Sequence, residues 1–463
     1  MSGALIAVFR SQRGFASVAD APGIGTATAT GGTTATVAYT APANDGGSPI
    51  TSYVATSTPG SITGTLSTAG SGTISVTGLT TGTGYTFTVH AVNAIGNSAE
   101  SSASNSIKYG GLLYAMGYNE YGQLGIGTSG GGPGVSSPTA IGALTTWVTG
   151  SMGNWTALAI KGDGTLWSWG RNNEGQLGHN DTTDISSPAQ VGALTDWSSV
   201  CTGYSAVVAL KTDGTLWSWG DGTKGQTGHS NTTDYSSPVQ VGALTTWSTI
   251  DTSGMITAGL ASDGTIWMCG QGYYGALGQG NYTYYSSPVQ VGALTTWASV
   301  RVGWSHTLAI TTSGTLFTWG QNQFGQLGNG LSSTTRYSSP VQVGALTDWL
   351  SVSGGHYWSL ALKTDGTIWA WGKGQWGSLG VGTSLDKSSP VKIGALTTWA
   401  SVTTGKYHSA ALKTDGTLWT WGYNNKGQCG LGTSANTSSP QQVGARTDWF
   451  ASLCQDGNAS LVI

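Results

Sequence analysis

The chain of 463 residues contains 75 Gly, 21 Trp and 18 Tyr, with 17 basic and 20 acidic side chains and a net charge of −3. Charged residues make up 8% of the chain, far fewer than the roughly one quarter of an ordinary domain, but the many aromatic side chains supply enough surface for a core. The absence of basic runs disfavours nucleic-acid binding and attachment to an anionic membrane, and no apolar run approaches the roughly 18 residues of a spanning helix.

Residues 1–19 match neither of the two patterns that follow them. Their apolar run, Ala4 to Phe9, is short, and Arg10 and Arg13 follow it instead of preceding it. A secretory signal has the opposite order. We expect this segment to be either an extended arm that docks on a partner or an unstructured tail.

Residues 20–107 are rich in Thr, Ala, Ser and Gly and contain no Trp. Asp45–Tyr53 and Gly78–Asn93 resemble segments of a fibronectin type III module, and Tyr85–Val89 alternates like a strand. The resemblance implies a β-sandwich in which Tyr85 forms the tyrosine corner. The usual core Trp is absent, and Tyr39 is the candidate to replace it.

From residue 108 onward a unit of 50 residues, once 52, recurs, and this period decides the fold class. Gly-Ala-Leu-Thr-x-Trp, with Arg replacing Leu in the last copy, places its Trp at 147, 197, 247, 297, 349, 399 and 449. Ser-Ser-Pro ends at Pro138, Pro188, Pro238, Pro288, Pro340, Pro390 and Pro440. A third motif, Asp-Gly-Thr-Leu-Trp-Ser-Trp-Gly at Asp163–Gly170, recurs near 213, 263, 313, 365 and 415.

Each unit predicts four short antiparallel strands. Thr165–Trp169 alternates, so Trp167 and Trp169 share one face, and an Asp-Gly turn joins this strand to the apolar run Ala157–Lys161. The segment around Trp147 and the Ser-Ser-Pro segment supply two more strands, and Pro suits an outermost strand. Four strands per unit describe one blade of a β-propeller.

The two ends of the array complement each other. Residues 111–117 match the third strand of a unit but lack the strands before it, whereas Ala459–Ile463 matches the second strand and stops before its partner. We therefore predict an all-β chain: an N-terminal β-sandwich (20–107) and a seven-bladed propeller (108–463) whose closing blade is shared by residues 111–117 and the C-terminus. Closure removes sheet edges that invite aggregation.

Two segments, Trp319–Gly330 and Gly405–Leu412, resemble the repeat of the regulator of chromosome condensation, and the resemblance extends over residues 111–463. It implies a propeller and raises the possibility of regulating a small GTPase. The family member that acts on a nuclear GTPase inserts a protruding element and binds nucleosomes. Here the largest departure from the 50-residue step is two residues, near Leu331–Arg336, and there is no basic arm.

No constellation of side chains predicts catalysis, a cofactor or a metal site. His306 and His408 share one repeat position, where we expect them to brace blades or loops; His179 and His229 share another, and a metal there is disfavoured. The Asp-Gly aspartates are predicted turn formers, namely Asp163, Asp213, Asp263, Asp365 and Asp415. The dispersed Cys201, Cys269, Cys429 and Cys454 show no metal-type spacing and are expected to be reduced and incidental.

The repeats differ most in the loops between the first two strands and between the last two, which lie on one face of a propeller. Exposed Tyr and Trp side chains suit stacking on sugars or anchoring a protein. The predicted ligand- or partner-binding residues are Tyr118, Tyr121, Trp155, Tyr204, Tyr273, Tyr274, Tyr284, Trp304, Phe324, Tyr337, Tyr357, Trp376, Tyr407 and Tyr423. The longer loops add Tyr282, Tyr285 and Arg336.

These features favour a non-enzymatic structural or binding protein. Low charge, many Gly, Thr and Ser residues and an N-terminal arm suggest a bacteriophage virion component that is tail-associated, fibre-like or capsid-decorating. Its expected partners are other virion proteins through residues 1–107, and a host-surface glycan or a neighbouring protein at the aromatic face, with no nucleic acid and no membrane insertion. The alternatives are a bacterial surface or extracellular adhesin and, less favoured, a small-GTPase regulator.

Overall fold

The computed structural model describes residues 16–30, 33–80, 83–108, 110–144, 146–451 and 457–463. The chain divides into two units, Met1–Tyr109 and Gly110–Ile463. Both consist of β-strands joined by turns, and the one short 3₁₀ turn among the described residues is Gln375–Gly377. Over the same residues, the structure contains no helix of the length and apolar character needed to cross a bilayer.

The first unit is the predicted sandwich. Its strands are β1 (Gly23–Ala29), β2 (Ala35–Thr40), β3 (Ile50–Thr58), β4 (Thr63–Leu66), β5 (Gly72–Val76), β6 (Gly84–Asn93), β7 (Gly96–Asn97) and β8 (Ile107–Lys108). One sheet has the order β1-β2-β5, and the other has the order β4-β3-β6-β7, with β8 paired to β6. Alternate residues of each strand point inward, as the burial patterns of β2 and β6 show.

Tyrosines occupy the two places assigned to them in the sandwich. The buried ring of Tyr39 lies 4.3 Å from that of Tyr53, centroid to centroid, where it fills the core in place of the missing Trp. The hydroxyl of Tyr85 accepts a hydrogen bond from the Thr80 backbone N–H at 3.0 Å, which is the contact of a tyrosine corner.

Residues just before position 20 also pack against the sandwich. The Ser17 backbone N–H donates to the Gly46 carbonyl at 2.8 Å, and Ala19 is buried in the sandwich core. Residues 17–19, assigned to the arm from sequence, therefore pack with this unit. The rest of the arm assignment falls on residues 1–15, which lie outside the described residues.

The second unit consists of six four-stranded sheets and one three-stranded sheet. The first three four-stranded sheets are β11–β14 (Trp147–Met152, Thr156–Lys161, Leu166–Gly170, Ile185–Gln190), β15–β18 (Trp197–Thr202, Ala206–Lys211, Leu216–Gly220, Tyr235–Gln240) and β19–β22 (Trp247–Ser253, Ile256–Ala261, Ile266–Gly270, Tyr285–Gln290). The next three are β23–β26 (Trp297–Val302, His306–Thr311, Leu316–Gln321, Arg336–Gln342), β27–β30 (Trp349–Gly354, Trp358–Lys363, Ile368–Gly372, Lys387–Lys392) and β31–β34 (Trp399–Thr404, His408–Lys413, Leu418–Gly422, Thr437–Gln442).

These six sheets, called blades one to six in chain order, each have the predicted strand order, with the Trp147-type strand at one edge and the Ser-Ser-Pro strand at the other. In blade one, Ala157 pairs with Trp169 and Ser168 pairs with Ala189. The aspartates are turn formers as expected: Asp163 Oδ1 accepts from the Thr165 N–H at 3.0 Å and from its hydroxyl at 2.7 Å.

Tryptophans of the third strands join neighbouring blades. The buried Trp169 donates from Nε1 to the carbonyl of Gln123 at 2.9 Å, and Trp219 donates to that of Gln176 at 2.9 Å. The same bond recurs at Trp319, Trp371 and Trp421. Blade three has Cys269 at this position, so its seam lacks the indole.

The closing sheet confirms the predicted junction of the two ends of the array. It has the order β10 (Val135–Ala140), β9 (Tyr114–Gly117) and β35 (Ala459–Val462). The last two strands pair antiparallel, with Ala459 opposite Gly117 and Leu461 opposite Ala115. This sheet is the seventh blade, so the propeller has the predicted number of blades.

Candidate functional site

One face of the propeller, which we call the loop face, carries two loops from each blade. The first joins strands one and two, and the second joins strands three and four. The two loops are tied together because the backbone N–H after the third strand donates to a carbonyl of the first loop, as from Arg171 to Trp155 at 2.9 Å and from Lys373 to Tyr357 at 2.9 Å. The face is therefore a set of braced loops.

The repeated Asn and Gln residues fold the second loop. In blade one, Asn172 Oδ1 accepts from the Leu177 N–H at 2.8 Å, and Gln176 Oε1 accepts from the Glu174 N–H at 2.8 Å. Gly175 has a φ of +75°, and a Cβ there would lie 2.5 Å from the Cα of Ser236 in the next blade. The signature residues thus serve loop geometry and blade contact, which leaves the variable positions to face a ligand.

Aromatic rings from different blades meet on this face in a continuous chain. Trp155 of blade one lies 5.1 Å from Tyr204 of blade two, which lies 5.5 Å from Trp304 of blade four, centroid to centroid. Blade three lies between these last two and carries Gly254 at the equivalent position. Trp304 is in turn 4.6 Å from His356, which stacks on Tyr357 at 4.2 Å.

The chain continues into blade six. His356 lies 5.4 Å from Tyr407, and Tyr407 lies 4.9 Å from Trp376. Trp376 also contacts Tyr423 at 4.7 Å. Its own backbone has a φ of +60°, a conformation that a Trp rarely adopts. We call the connected rings the aromatic cluster: Tyr121, Trp155, Tyr204, Trp304, Phe324, His356, Tyr357, Trp376, Tyr407 and Tyr423.

The remaining predicted site residues make no ring contact with this cluster among the described residues. Tyr273 and Tyr274 form a separate pair, with the Arg336 guanidinium 4.2 Å from the Tyr273 ring. Tyr118 donates its hydroxyl to Glu120. Tyr284 is exposed and accepts from Gln271 Nε2, while Tyr337 lies half-buried in an outermost strand.

Sequence reasoning missed His356, the member at which the chain of rings branches. His306 and His408 share one repeat position, and His356 lies two residues before the equivalent Trp358 in its own blade. Aligning His356 with Trp304 and Tyr204, which occupy its own repeat position, is the signal that identifies it.

His356 is neutral at neutral pH. Only 8% of its surface is exposed. Burial lowers its pKa to about 3, and the positive charges of Lys406 and Lys373 and the nearby His306 act in the same direction. Burial also raises the pKa of the Tyr357 and Tyr407 hydroxyls. The cluster therefore offers uncharged rings over a wide range of pH.

Cations pack against the edge of the cluster. The Arg171 Cζ lies 4.6 Å from the Trp155 ring and 5.0 Å from the Tyr121 ring. The Lys373 ammonium lies 4.5 Å from the Phe324 ring. Contacts of this kind attract a cation to the electron-rich face of a ring and hold it in place.

The other histidines brace the structure. His306 Nε2 lies 2.9 Å from Ser359 Oγ in the next blade, which confirms the expected blade-bracing role. His179 and His229 each contact a serine of their own blade, Ser168 and Ser218, at 2.9 Å. Among the described residues, no group of His, Cys, Asp and Glu has the arrangement of a metal site.

A central cavity of about 440 Å³ runs between the first strands of the blades. Its lining combines Ser and Thr side chains with Val and Ile side chains, and includes Arg301, Cys201 and the buried Asp251. Asp251 Oδ2 accepts from the Val302 N–H at 2.7 Å, so this carboxylate links blades three and four. Burial raises the pKa of the Cys201 thiol, which keeps it protonated and unreactive.

The sequence matches the profiles of two known families. The profile of the regulator of chromosome condensation (RCC1) repeat matches residues 110–160, 163–210, 213–260, 263–310, 313–362, 365–412 and 415–450. A second profile of the same repeat matches 147–176, 197–226, 297–326 and 399–428. The fibronectin type III profile matches residues 20–107. A search of curated protein sequences found no match.

Solved structures share the propeller fold. Human WBSCR16 is 22% identical with a TM-score of 0.69, and the match covers 76% of this chain and 98% of that one. Prp20p from Saccharomyces cerevisiae is 19% identical with a TM-score of 0.67, covering 76% and 91%. The yeast Prp20 chain solved with Kap60 bound is 20% identical with a TM-score of 0.67, covering 76% and 88%.

Proposed function

The chain belongs to the family of RCC1-repeat proteins, and from this premise we propose that it is a non-enzymatic binding protein that recognises its partner with the loop face of the propeller. The observation that carries the proposal is the aromatic cluster, in which rings from several blades lie in contact across one face. Members of the cluster such as Trp155, Trp304 and Trp376 are half-buried, so they keep surface available to a ligand.

Rigid loops support this role. Partly exposed Trp and Tyr give a large contact area and lose little conformational entropy on binding. Hydrogen bonds such as that from the Leu177 N–H to Asn172 Oδ1 already hold the loops in place, so binding does not have to order them.

The finer proposal is that the protein is a bacteriophage virion component, tail-associated, fibre-like or capsid-decorating. The 8% of charged residues, the 75 glycines and the fibronectin type III domain ahead of the propeller support it by composition. In this proposal residues 1–107 contact other virion proteins, and the aromatic cluster faces a host-surface glycan or a neighbouring subunit. A bacterial surface adhesin is the alternative that uses the same two modules.

Mass spectrometry of purified phage particles tests the location: the chain is expected among the capsid or tail proteins. Its detection on bacterial cells instead, and not in particles, would favour the adhesin.

A glycan array tests the recognition surface. We expect binding by the unaltered chain, loss in the double variant Trp155→Ala with Trp376→Ala, and retention in Leu244→Ala, which removes an exposed side chain from the opposite face. Thermal melting of all three proteins shows whether each remains folded. Unchanged glycan binding by a folded double variant would contradict the assignment of the face.

Regulation of a small GTPase is the second candidate, favoured by the family match. Prp20p, which shares the fold, is described with binding properties to Gsp1p and histones. A nucleotide-release assay over a panel of small GTPases tests it, and acceleration by the intact chain would establish this function over the first.

A further inference from the structure

The cations of the loop face are held by aromatic rings and not by carboxylates. Among the described residues, neither Arg171 nor Lys373 forms an ion pair. Arg171 packs on Trp155, and Lys373 packs on Phe324 and Tyr357. Both side chains are therefore positive charges at the border of the aromatic cluster.

On the opposite face, some of the lysines that pack on rings do have a carboxylate partner. There Lys211 pairs with Asp196 at 3.3 Å, and Lys363 pairs with Asp348 at 3.3 Å, although both lysines also lie over tryptophan rings. Packing of a cation on a ring does not by itself exclude a carboxylate partner. On the same face Lys161 and Lys413 lie over tryptophan rings and have no ion pair among the described residues. What sets Arg171 and Lys373 apart is that the rings they contact belong to the aromatic cluster.

The acidic side chains of the loop face are engaged in shaping its loops. Asp184, Asp234 and Asp386 each accept a hydrogen bond from a backbone N–H at the start of the second loop, at 2.7, 2.8 and 2.9 Å. Glu120 accepts from Tyr118, and Glu174 accepts from Asn173. None of these bonds neutralises Arg171 or Lys373.

The cluster between the two cations is amphipathic. Its rings present apolar faces, while the indole N–H and phenol O–H groups at their edges bond to polar ligands. Most of the large exposed leucines lie on the opposite face, at Leu144, Leu194, Leu244, Leu294, Leu346 and Leu396, whereas the loop face carries Leu331 and Leu385 in the second loops of blades four and five. A surface of aromatic rings with few aliphatic side chains suits a ligand that has flat C–H faces surrounded by hydroxyls.

We propose that the aromatic cluster binds an acidic oligosaccharide, with sugar rings stacked on Trp and Tyr and with carboxylates placed against Arg171 and Lys373. This inference rests on the proposed recognition role of the loop face and specifies its ligand class. An oligomer fits better than a single sugar because the rings come from blades one, two, four, five, six and seven.

Isothermal titration calorimetry of the full chain with two matched probes tests whether carboxylates on the sugar strengthen binding. β-1,4-Mannohexaose and hexa-β-1,4-mannuronate differ only in the oxidation of C6 to a carboxylate. The acidic hexamer is expected to bind at least about tenfold more tightly, because charge-assisted hydrogen bonds are about twice as strong as neutral ones. Its affinity is expected to fall as salt is raised.

Two variants and one matched control locate the charge. Lys373→Gln and Arg171→Gln are each expected to weaken mannuronate binding by about tenfold, the loss of one charged hydrogen bond, and to weaken mannohexaose binding less. Lys392→Gln removes the same charge from an exposed lysine on the opposite face, near Asp365, and is expected to change neither.

The remaining outcomes separate this inference from the proposed function. If the two hexamers bind with equal affinity and Trp155→Ala abolishes binding of both, the ligand need not be acidic. The proposal that the loop face is the recognition surface is then retained. Hexaglutamate binding as tightly as the mannuronate overturns the sugar and identifies an acidic peptide. No binding of either hexamer overturns the inference, while the glycan array still decides the role of the face.

Discussion

His408 Nε2 lies 2.6 Å from Ser460 Oγ, and Ser460 donates in turn to the carbonyl of Gln428 at 2.8 Å. His408 is on the second strand of blade six, and Ser460 is on β35, the C-terminal strand of the closing blade. Ser460 gives its proton to Gln428, so it accepts from His408, which fixes the Nε2-protonated form of the imidazole. The bond ties the last strand to the blade beside it.

Replacing His408 with Ala removes this bond and opens a cavity beside Gly405. We expect a loss of about 2–4 kcal/mol in the free energy of unfolding, from the unmade hydrogen bond and the lost packing. Urea unfolding followed by tryptophan fluorescence measures it. His229→Ala is the matched control, because His229 bonds a serine within its own blade and is half-buried, and we expect about 1 kcal/mol there. Equal losses would show that the bond to β35 has no special role.

The buried histidines predict acid sensitivity. Burial lowers the pKa of His306 and His356 to about 3 and that of His408 to about 4. The unfolded chain titrates near 6.5, so it binds more protons than the folded chain below that pH. The contribution of these three histidines to the free energy of unfolding is therefore fully present above about pH 6.5. It is lost as the pH drops toward 4, by about 1.4 kcal/mol per pH unit for each of them.

Denaturation midpoints between pH 7 and pH 4.5 check this slope. In His356→Gln the contribution of this imidazole is gone, so the slope is expected to fall by about 1.4 kcal/mol per pH unit. A stability that is flat across this range would contradict the neutral, buried state of these imidazoles.

Substituting Ala for two glycines with similar positive φ angles distinguishes the cost of a steric clash between blades from the cost of backbone strain. Gly225 and Gly242 have φ of +81° and +61°. A Cβ on Gly225 would lie 2.6 Å from the Cα of Ser286 in the next blade, whereas one on Gly242 would meet nothing within 4 Å. We expect Gly242→Ala to cost about 1 kcal/mol, the strain alone, and Gly225→Ala to cost about 2–4 kcal/mol because the blades must also separate. Unfolding measurements that gave equal costs would exclude a close blade contact at Gly225.

Deletion of residues 459–463 tests the closure itself. Without β35, one edge of the Tyr114–Gly117 strand loses its partner, and Leu461 and Ile463 leave the closing core. We expect a lower melting temperature and concentration-dependent association through the free edge. Size-exclusion chromatography and circular dichroism measure both. A truncated chain that stayed monomeric with an unchanged melting temperature would mean that the ring does not depend on this pairing.

The fold was accessible from sequence because each structural role recurs at one repeat position. The alternation of Trp167 and Trp169 predicted the strand, and the offset between residues 111–117 and Ala459–Ile463 predicted the closing pair. The repeat position shared by His306 and His408 predicted their bracing role, because side chains at the same position of the repeat meet equivalent neighbours.

The candidate site was less accessible because it depends on where the blades differ. Tyr204 and Trp304 belong to blades that are not adjacent, and they meet because Gly254 leaves the space between them open. His356 joins the cluster through neighbours on either side, at distances that the repeat period does not specify. The repeat motif also does not specify which cations lack a carboxylate partner, because that depends on where the individual side chains lie.

The shared seventh blade has a consequence for how such a gene can change. The strand at residues 114–117 is matched to β35 by its place within the unit and not by the number of units between them. In-frame replacement of one 50-residue segment by another keeps both the number of blades and this match, so the ring can exchange whole sectors while its closing seam stays in register. Diversification of the recognition surface can then proceed one sector at a time.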